Sequence, residues 1–287
     1  MDILTIILLG LTQGITEWVP ISSKTQVTFV YLAFLNGNKD SVIPILLYVH
    51  LGTVIAASIY FRNEIMEMLR RFLKKPLDFN TNLNGKVGFI LSSLFFTGVL
   101  GIPLLLLEKG ELNGILGALG VPQSFLNVIT SPNLDLGWLY AIMGILLIIT
   151  GLLLLTQKNS GNRKIKDATW KEGILTGLLQ GISILPGISR AGTSTTGLIW
   201  QGFDSESSFH LSFLLSIPTV ILAELVLYVG GLSSFPVYDG ILLAVSSFIF
   251  GYATLDTVLK IVKRVNMAYV AFVLGIIIIA AGLLRGG

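Results

Sequence analysis

Six predominantly apolar runs of about 20 residues recur along this chain, each long enough to cross a hydrocarbon core about 30 Å thick as a helix. They cover residues 42–61, 87–107, 137–156, 209–230, 240–258 and 267–284. In lipid every backbone polar group needs a partner within the protein, so uninterrupted runs of this length read as transmembrane helices. Composition agrees. Of 287 residues 53% are hydrophobic and 12% charged, against about 25% charged in an ordinary soluble domain. The expected fold is an all-α integral membrane protein, a single membrane domain over residues 1–287.

Two other apolar stretches, 3–35 and 172–200, are interrupted by Gly, Pro, Ser and Thr. Each reads as a helix, a Pro-containing polar turn and a second helix. Irregular backbone at membrane depth is tolerated only where protein or a cavity surrounds it, so both are expected to be re-entrant helical hairpins. The basic residues support this independently. Residues 62–86 carry Arg62, Arg70, Arg71, Lys74, Lys75 and Lys86; residues 157–171 carry Lys158, Arg163, Lys164, Lys166 and Lys171; residues 259–266 carry Lys260, Lys263 and Arg264. In 108–136 Lys109 faces Glu108, Glu111 and Asp135, and 231–239 has no base. Base-rich loops face the cytoplasm. Rich and poor loops alternate here only if each broken stretch enters and leaves on one side. Bases placed for topology also account for the net charge of +3, and no nucleic-acid partner is expected.

The chain repeats itself. Residues 10–16 read GLTQGIT and residues 177–183 read GLLQGIS; Pro20 answers Pro186, Ile21-Ser22 answers Ile188-Ser189, and Thr53-Val54-Ile55 answers Thr219-Val220-Ile221. Each half, 1–156 and 172–287, then comprises one hairpin and three transmembrane helices. Three is odd, so the second half is inverted relative to the first. Inverted repeats with broken helices bind ligands near the midplane, where the halves meet.

Cysteine is absent and there are two histidines, His50 and His210, which excludes thiolate chemistry and disulfides and argues against a multi-His zinc site. The chemistry falls to the two broken stretches. In the first, Gln13 and Glu17 share a helix face at i,i+4 spacing, Pro20 ends the helix, and Ser22, Ser23 and Gln26 follow. A carboxylate inside a membrane marks a candidate functional site. In the second, Arg190 is the one charged residue between Gly173 and Gly202. Its planar fork suits phosphate oxygens, and a helix starting near Thr193 would aim N–H groups at an anion. Ser189, Ser194 and Thr195 add hydroxyls, while Gly192 allows close approach. A Glu17–Arg190 ion pair clamping the halves is the structural counterpart of this reading, and the two can coexist. Elsewhere, His50 reads as a hydrogen-bonded residue in mid-span, with lining of the site as its alternative; Glu224 as an intramembrane acid without an evident partner, with a cavity role as its alternative; and Asp256 as a partner of Lys260.

These motifs resemble the undecaprenyl-diphosphatase (bacitracin-resistance) family over the whole chain. That family's first signature has two acids four apart, then Pro-x-Ser-Ser and a His; its positions fall on Gln13, Glu17, Pro20, Ser22, Ser23 and Gln26. Its second, Pro-Gly-x-Ser-Arg-[Ser/Ala]-Gly-x-[Thr/Ser], falls on Pro186, Gly187, Ser189, Arg190, Ala191, Gly192 and Ser194. Gln13 stands where the family usually has Glu, and Gln26 where it usually has His. Neither glutamine can act as a base, which leaves the acid–base work to Glu17.

The resemblance implies a plasma-membrane phosphatase that opens to the outer face. It would convert a polyprenyl (undecaprenyl-type) diphosphate to the monophosphate and inorganic phosphate, recycling a lipid carrier. Glu17, Ser23 and Arg190 are then the expected catalytic residues, with Glu17 the base for Ser23 or for water. Gln13, Ser22, Gln26, Ser189, Gly192, Thr193 and Ser194 are expected to bind substrate. Glu17 and Gln13 are candidate ligands for a divalent cation, Mg²⁺ or Ca²⁺, and a homodimer is compatible with such a domain. The alternative is a flippase that passes a polyprenyl phosphate across the membrane without hydrolysis. It would need Arg190 as an anchor but not Glu17 as a base.

Overall fold

The computed structural model describes residues 1–74, 85–108, 135–157, 161–229, 235–262 and 265–285. Of the residues weighed in the topology argument, Lys75, Lys109, Glu111, Lys158, Lys263 and Arg264 lie outside them. Every regular element named here is helical. Asp2 caps the first helix, α1 (Ile3–Thr16), by accepting from the Thr5 amide at 2.9 Å. The chain then turns through 17–22 into α2 (Ser23–Phe29), which runs on as one π-helical turn, Val30–Phe34. There follow α3 (Val42–Tyr60), α4 (Arg62–Lys74), α5 (Gly85–Glu108) and α6 (Leu136–Leu155). The second half opens with α7 (Trp170–Gly181) and α8 (Arg190–Trp200), then α9 (Ser205–Val229), α10 (Val237–Val262) and α11 (Met267–Arg285). Six of these, α3, α5, α6, α9, α10 and α11, are long and apolar enough to cross a membrane. Each overlaps one expected run.

Three differences from the sequence reading have local causes. α9 starts at Ser205 rather than 209, because Asp204 accepts from the Ser207 amide at 2.7 Å and caps it. α8 starts at Arg190 rather than near Thr193, because Ser189 accepts from the Gly192 amide at 3.2 Å. And α4 occupies what read as a loop; with no buried residue in it, it lacks the long apolar run that marks a span.

The helices pair across the sequence. α6 packs along α11, α5 along α7, and α10 along both α3 and α1. Small residues set the close approaches: a Cβ added to Gly14 of α1 would lie 2.6 Å from the Gly251 nitrogen of α10. Trp18, 1% exposed, pins the end of α1. Its indole donates to the Gly251 carbonyl at 3.0 Å and meets the Phe213 ring edge-on. The residue before it, Glu17, is therefore held in place by packing.

At the base-rich end, charged groups tie successive elements together. Glu64 of α4 accepts from His210 of α9 at 2.7 Å and from Lys86 at the start of α5. Arg163 bonds Glu172 at 2.8 Å and the Gln201 carbonyl at 3.0 Å. Lys164 pairs with Asp204 at 2.7 Å. Burial opposes ionisation of Glu64, but its hydrogen bonds to His210 and Lys86 outweigh it, and its pKa falls from 4.5 to about 2. A depressed carboxylate stabilises the fold above its unfolded pKa and loses that contribution as pH falls toward the folded value. Glu64→Gln is therefore expected to destabilise the protein by about 2 kcal/mol at neutral pH, after allowance for solvent screening. Thermal unfolding in detergent should show the gap from wild type narrowing as pH drops from 4.5 toward 2.

Candidate functional site

The two interrupted stretches become two turns that face each other. In the first, α1 ends at Glu17. Ser22 then takes a left-handed conformation, φ 61°, that few non-glycine residues adopt. That reversal starts α2 at Ser23. In the second, Gly187 has φ 113°, and a side chain there would run into Leu146 and the Met143 carbonyl. Thr150 of α6 clasps this turn: its hydroxyl donates to the Gly187 carbonyl at 3.2 Å and accepts from the Ser189 amide at 3.2 Å. Arg190 is thereby presented as the first residue of α8, just as Ser23 is the first of α2. The turns nearly touch, since a Cβ on Gly192 would lie 3.5 Å from that of Pro20.

Glu17 is the centre. Its Oε1 accepts from Arg190 Nη2 at 2.5 Å, and its Oε2 accepts from Ser23 Oγ at 2.6 Å and Gln13 Nε2 at 2.9 Å. The Glu17 and Arg190 side chains are 6% and 14% exposed. A buried carboxylate or guanidinium alone is costly, and pairing with full hydrogen bonding is what permits both. Gln13 Nε2 also reaches Thr53 Oγ1 at 3.3 Å. Arg190 Nη1 reaches the Ser212 carbonyl at 3.5 Å, and Ser212 shares a 2.6 Å hydrogen bond with Ser194.

Of the residues singled out in the sequence, Gln13, Glu17, Ser23 and Arg190 converge directly. The others build the turns. Gln26 donates to the Ile21 carbonyl at 3.1 Å, Ser22 bonds Thr25 at 3.0 Å, Ser189 caps α8, and the hydroxyls of Thr193 and Ser194 donate to the Arg190 carbonyl at 3.0 and 2.8 Å. The early start of α8 puts the Thr193 amide inside the helix, bonded to the Ser189 carbonyl at 2.9 Å. It is not a free N–H at the helix end.

Three more residues reach the site; the sequence offered this for His50 and Glu224 only as the alternative reading, and for Thr53 not at all. His50 of α3 brings Nε2 to 3.6 Å from Glu17 Oε2, Glu224 of α9 brings Oε1 to 3.3 Å from His50 Nδ1, and Thr53 meets Gln13. His50 is also the interior hydrogen-bonded residue it was expected to be, through the Leu46 carbonyl at 2.7 Å. The usable signal was the repeat: Thr53 answers Thr219, and His50 lies one turn earlier on the same helix face. The second half shows the same pairing, with Gln180 donating to Thr219 at 3.1 Å.

At the centre of the site the Glu17 carboxylate is engaged, while Gln13 Oε1 is buried without a hydrogen-bond partner among the described residues. Both Glu17 oxygens are taken by Arg190, Ser23 and Gln13, and Gln13 turns its amide nitrogen toward the carboxylate. Among the described residues no group of three or more His, Asp or Glu could hold a metal ion. Glu17 is Arg190's counter-ion in this arrangement.

A buried carboxylate–guanidinium pair with a hydroxyl hydrogen-bonded to it, in a chain whose described residues include six membrane-length helices, defines a polytopic α-helical membrane protein. The chain matches the family model described as bacitracin resistance protein BacA over residues 6–282, and it belongs to that family. Among its relatives are proteins named undecaprenyl-diphosphatase. The one from Methanococcoides burtonii is 32% identical, covering 94% of this chain and 95% of its own length. Those from Haloarcula marismortui and Methanothrix thermoacetophila are 33% and 31% identical, each covering 98% of this chain and 98% and 97% of their own lengths.

Proposed function

We propose that this protein is a membrane phosphatase that removes the terminal phosphate from an undecaprenyl-type polyprenyl diphosphate and returns the monophosphate carrier for envelope glycan synthesis. One contact carries the reading: the Ser23 hydroxyl donates at 2.6 Å to Glu17, whose other oxygen is held by Arg190. Nucleophile, base and anion anchor thus meet at one carboxylate. The terminal phosphate takes over the Arg190 fork and Glu17 is released to receive the Ser23 proton. Ser23 Oγ bonds to the terminal phosphorus as the bridging P–O bond breaks, and the bond pair leaves on the lipid monophosphate. Water then attacks the phosphoserine, giving inorganic phosphate and restoring Ser23. Arg190 meets the charge that gathers on the phosphoryl oxygens; Ser194 holds its backbone carbonyl, and the Ser212 carbonyl accepts from its Nη1. A divalent cation, Mg²⁺ or Ca²⁺, would supply counter-charge to the diphosphate, with Glu17 and Gln13 as the residues that would hold it.

The reading includes an inverted-repeat architecture, with each hairpin entering and leaving on one side. Matched pairings support it. α1 lies against α10 as α7 lies against α5, and Gln13 bonds Thr53 as Gln180 bonds Thr219. The outer end of α1 meets α10 through Met1 and Asp239 at 2.7 Å, beside a base-poor loop, whereas the outer ends of α7 and α8 meet beside Arg163. By the positive-inside rule the first hairpin then opens outward from the plasma membrane.

The test uses polyprenyl diphosphate labelled in its terminal phosphate, mixed with purified protein in detergent and quenched in acid. The expected outcome is label on Ser23 followed by free phosphate, and none on Ser23→Ala. Label appearing as free phosphate at an undiminished rate from Ser23→Ala would replace Ser23 by direct attack of water.

A further inference from the structure

Transfer of the terminal phosphate to Ser23 leaves a proton behind. Serine and a trianionic diphosphate ester give phosphoserine and a lipid monophosphate, both dianions above the phosphate pKa of about 6, plus one H⁺. Glu17 takes that proton, and it must lose it again before it can serve as base for the water that attacks phosphoserine. Where the family carries His, Gln26 cannot accept a proton, and its amide is committed to the Ile21 carbonyl at 3.1 Å.

A different histidine is in position. The His50 ring is 5% exposed, and its Nδ1 lies 2.7 Å from the Leu46 carbonyl. A carbonyl only accepts, so Nδ1 carries a proton, and Nε2 faces Glu17 Oε2, 3.6 Å away. On the other side of the ring, Nδ1 is 3.3 Å from Glu224 Oε1. Glu224 belongs to α9 near the end that leads to the base-poor segment 231–239. Its Oε2 is buried without a hydrogen-bond partner among the described residues, a costly arrangement for a carboxylate that does no more than pack. Among the described residues, Glu17 from the end of α1 and Glu224 from α9 are the carboxylates within 4 Å of the ring nitrogens. Arg190 of α8 stands beyond Glu17, and α10, packed along α3, meets it near Gly52 with Ser247.

We propose that Glu17, His50 and Glu224 form a proton exit relay, in which His50 replaces the titratable group that Gln26 lacks. Once Glu17 is protonated, its proton passes to His50 Nε2 as the Nδ1 proton passes to Glu224 Oε1. Glu224 discharges toward the base-poor face, and exchange of the Nε2 proton for one at Nδ1 through water restores the starting tautomer, hydrogen-bonded to the Leu46 carbonyl, with no net proton moved. Chains of Asp, Glu and His across membrane helices commonly serve proton transfer. His50 and Glu224 act through Glu17 and touch no substrate. The inference rests on the phosphatase reading above.

The relay predicts a split that a structural role would not produce. The first phosphoryl transfer needs only Ser23, Glu17 and Arg190, so His50→Gln and Glu224→Gln keep a full burst of lipid monophosphate, one per protein, at the wild-type rate. Their later turnovers wait on proton loss, so kcat falls about 10²-fold in His50→Gln and about tenfold in Glu224→Gln, and phosphoserine accumulates. The measurement is rapid-quench kinetics of purified wild type and both variants, with thermal unfolding to confirm equal folding. Burst and steady state falling together in the well-folded variants, or both unchanged within twofold, would overturn the relay while leaving the phosphatase reading intact. A wild type that forms no monophosphate would overturn that reading and the relay with it.

Discussion

Arg190→Ala is expected to lower kcat/KM for the polyprenyl diphosphate by about 10³-fold and to destabilise the protein at the same time. Two effects of one deletion combine. The guanidinium is the cation hydrogen-bonded to Glu17, at 2.5 Å, and in the proposed mechanism it meets the developing phosphoryl charge. Losing one such preorganised donor costs about 10²–10³-fold in rate, and losing the ground-state anchor for a multiply charged phosphate adds to that. The stability effect follows from burial. A Glu17 side chain 6% exposed is left ionised without its cation, and breaking a buried pair on one side costs about 3–5 kcal/mol. Arg190→Lys should recover the stability better than the rate, because an ammonium restores charge but not the planar fork. Thermal unfolding beside phosphate release separates the two. A normal rate in Arg190→Ala would remove Arg190 from the mechanism.

Glu17→Gln has a different signature. The amide keeps nearly the same shape but cannot take the Ser23 proton, so kcat should fall about 10³-fold, within the usual range for removing a positioned base. Binding should not fall with it. In the resting site Glu17 competes with phosphate for the Arg190 fork, and the neutral side chain ends that competition. Glu17→Gln should therefore bind a non-hydrolysable diphosphate analogue at least as tightly as wild type, and calorimetry in detergent reads this directly. A parallel loss of binding would mean that Glu17 holds the substrate rather than the proton.

Much of the fold was legible because membrane burial writes itself into long uninterrupted runs. Each of the six transmembrane expectations overlaps a described helix, and the charge alternation pointed to two interrupted stretches. What escaped has local causes. α4 has no buried residue, so no extended apolar run announced it. The start of α8 moved from Thr193 to Arg190 because a single cap, Ser189 on the Gly192 amide, sets it. At the site, Glu17, Ser23, Gln13 and Arg190 stood out as polar groups amid apolar neighbours. His50 and Glu224 stood out equally, yet nothing local joined them. They sit 174 positions apart in the chain and meet only because α3 packs against α9. Glu17 and Gln13 share a helix face as foreseen, while the partners that the carboxylate gains from α2 and α8 come from tertiary packing.

The central claim is that this protein breaks a phosphoanhydride bond rather than carrying a lipid phosphate intact across the membrane. The measurement is made on wild-type protein reconstituted in sealed vesicles with polyprenyl diphosphate, following inorganic phosphate and lipid monophosphate together. Hydrolysis predicts the two products in equal amounts, with turnover lost in Glu17→Gln. Lipid that binds through Arg190 and crosses the bilayer while no phosphate is released, over a range of pH and with Mg²⁺ or Ca²⁺ present, would contradict the account and make translocation the function of the site.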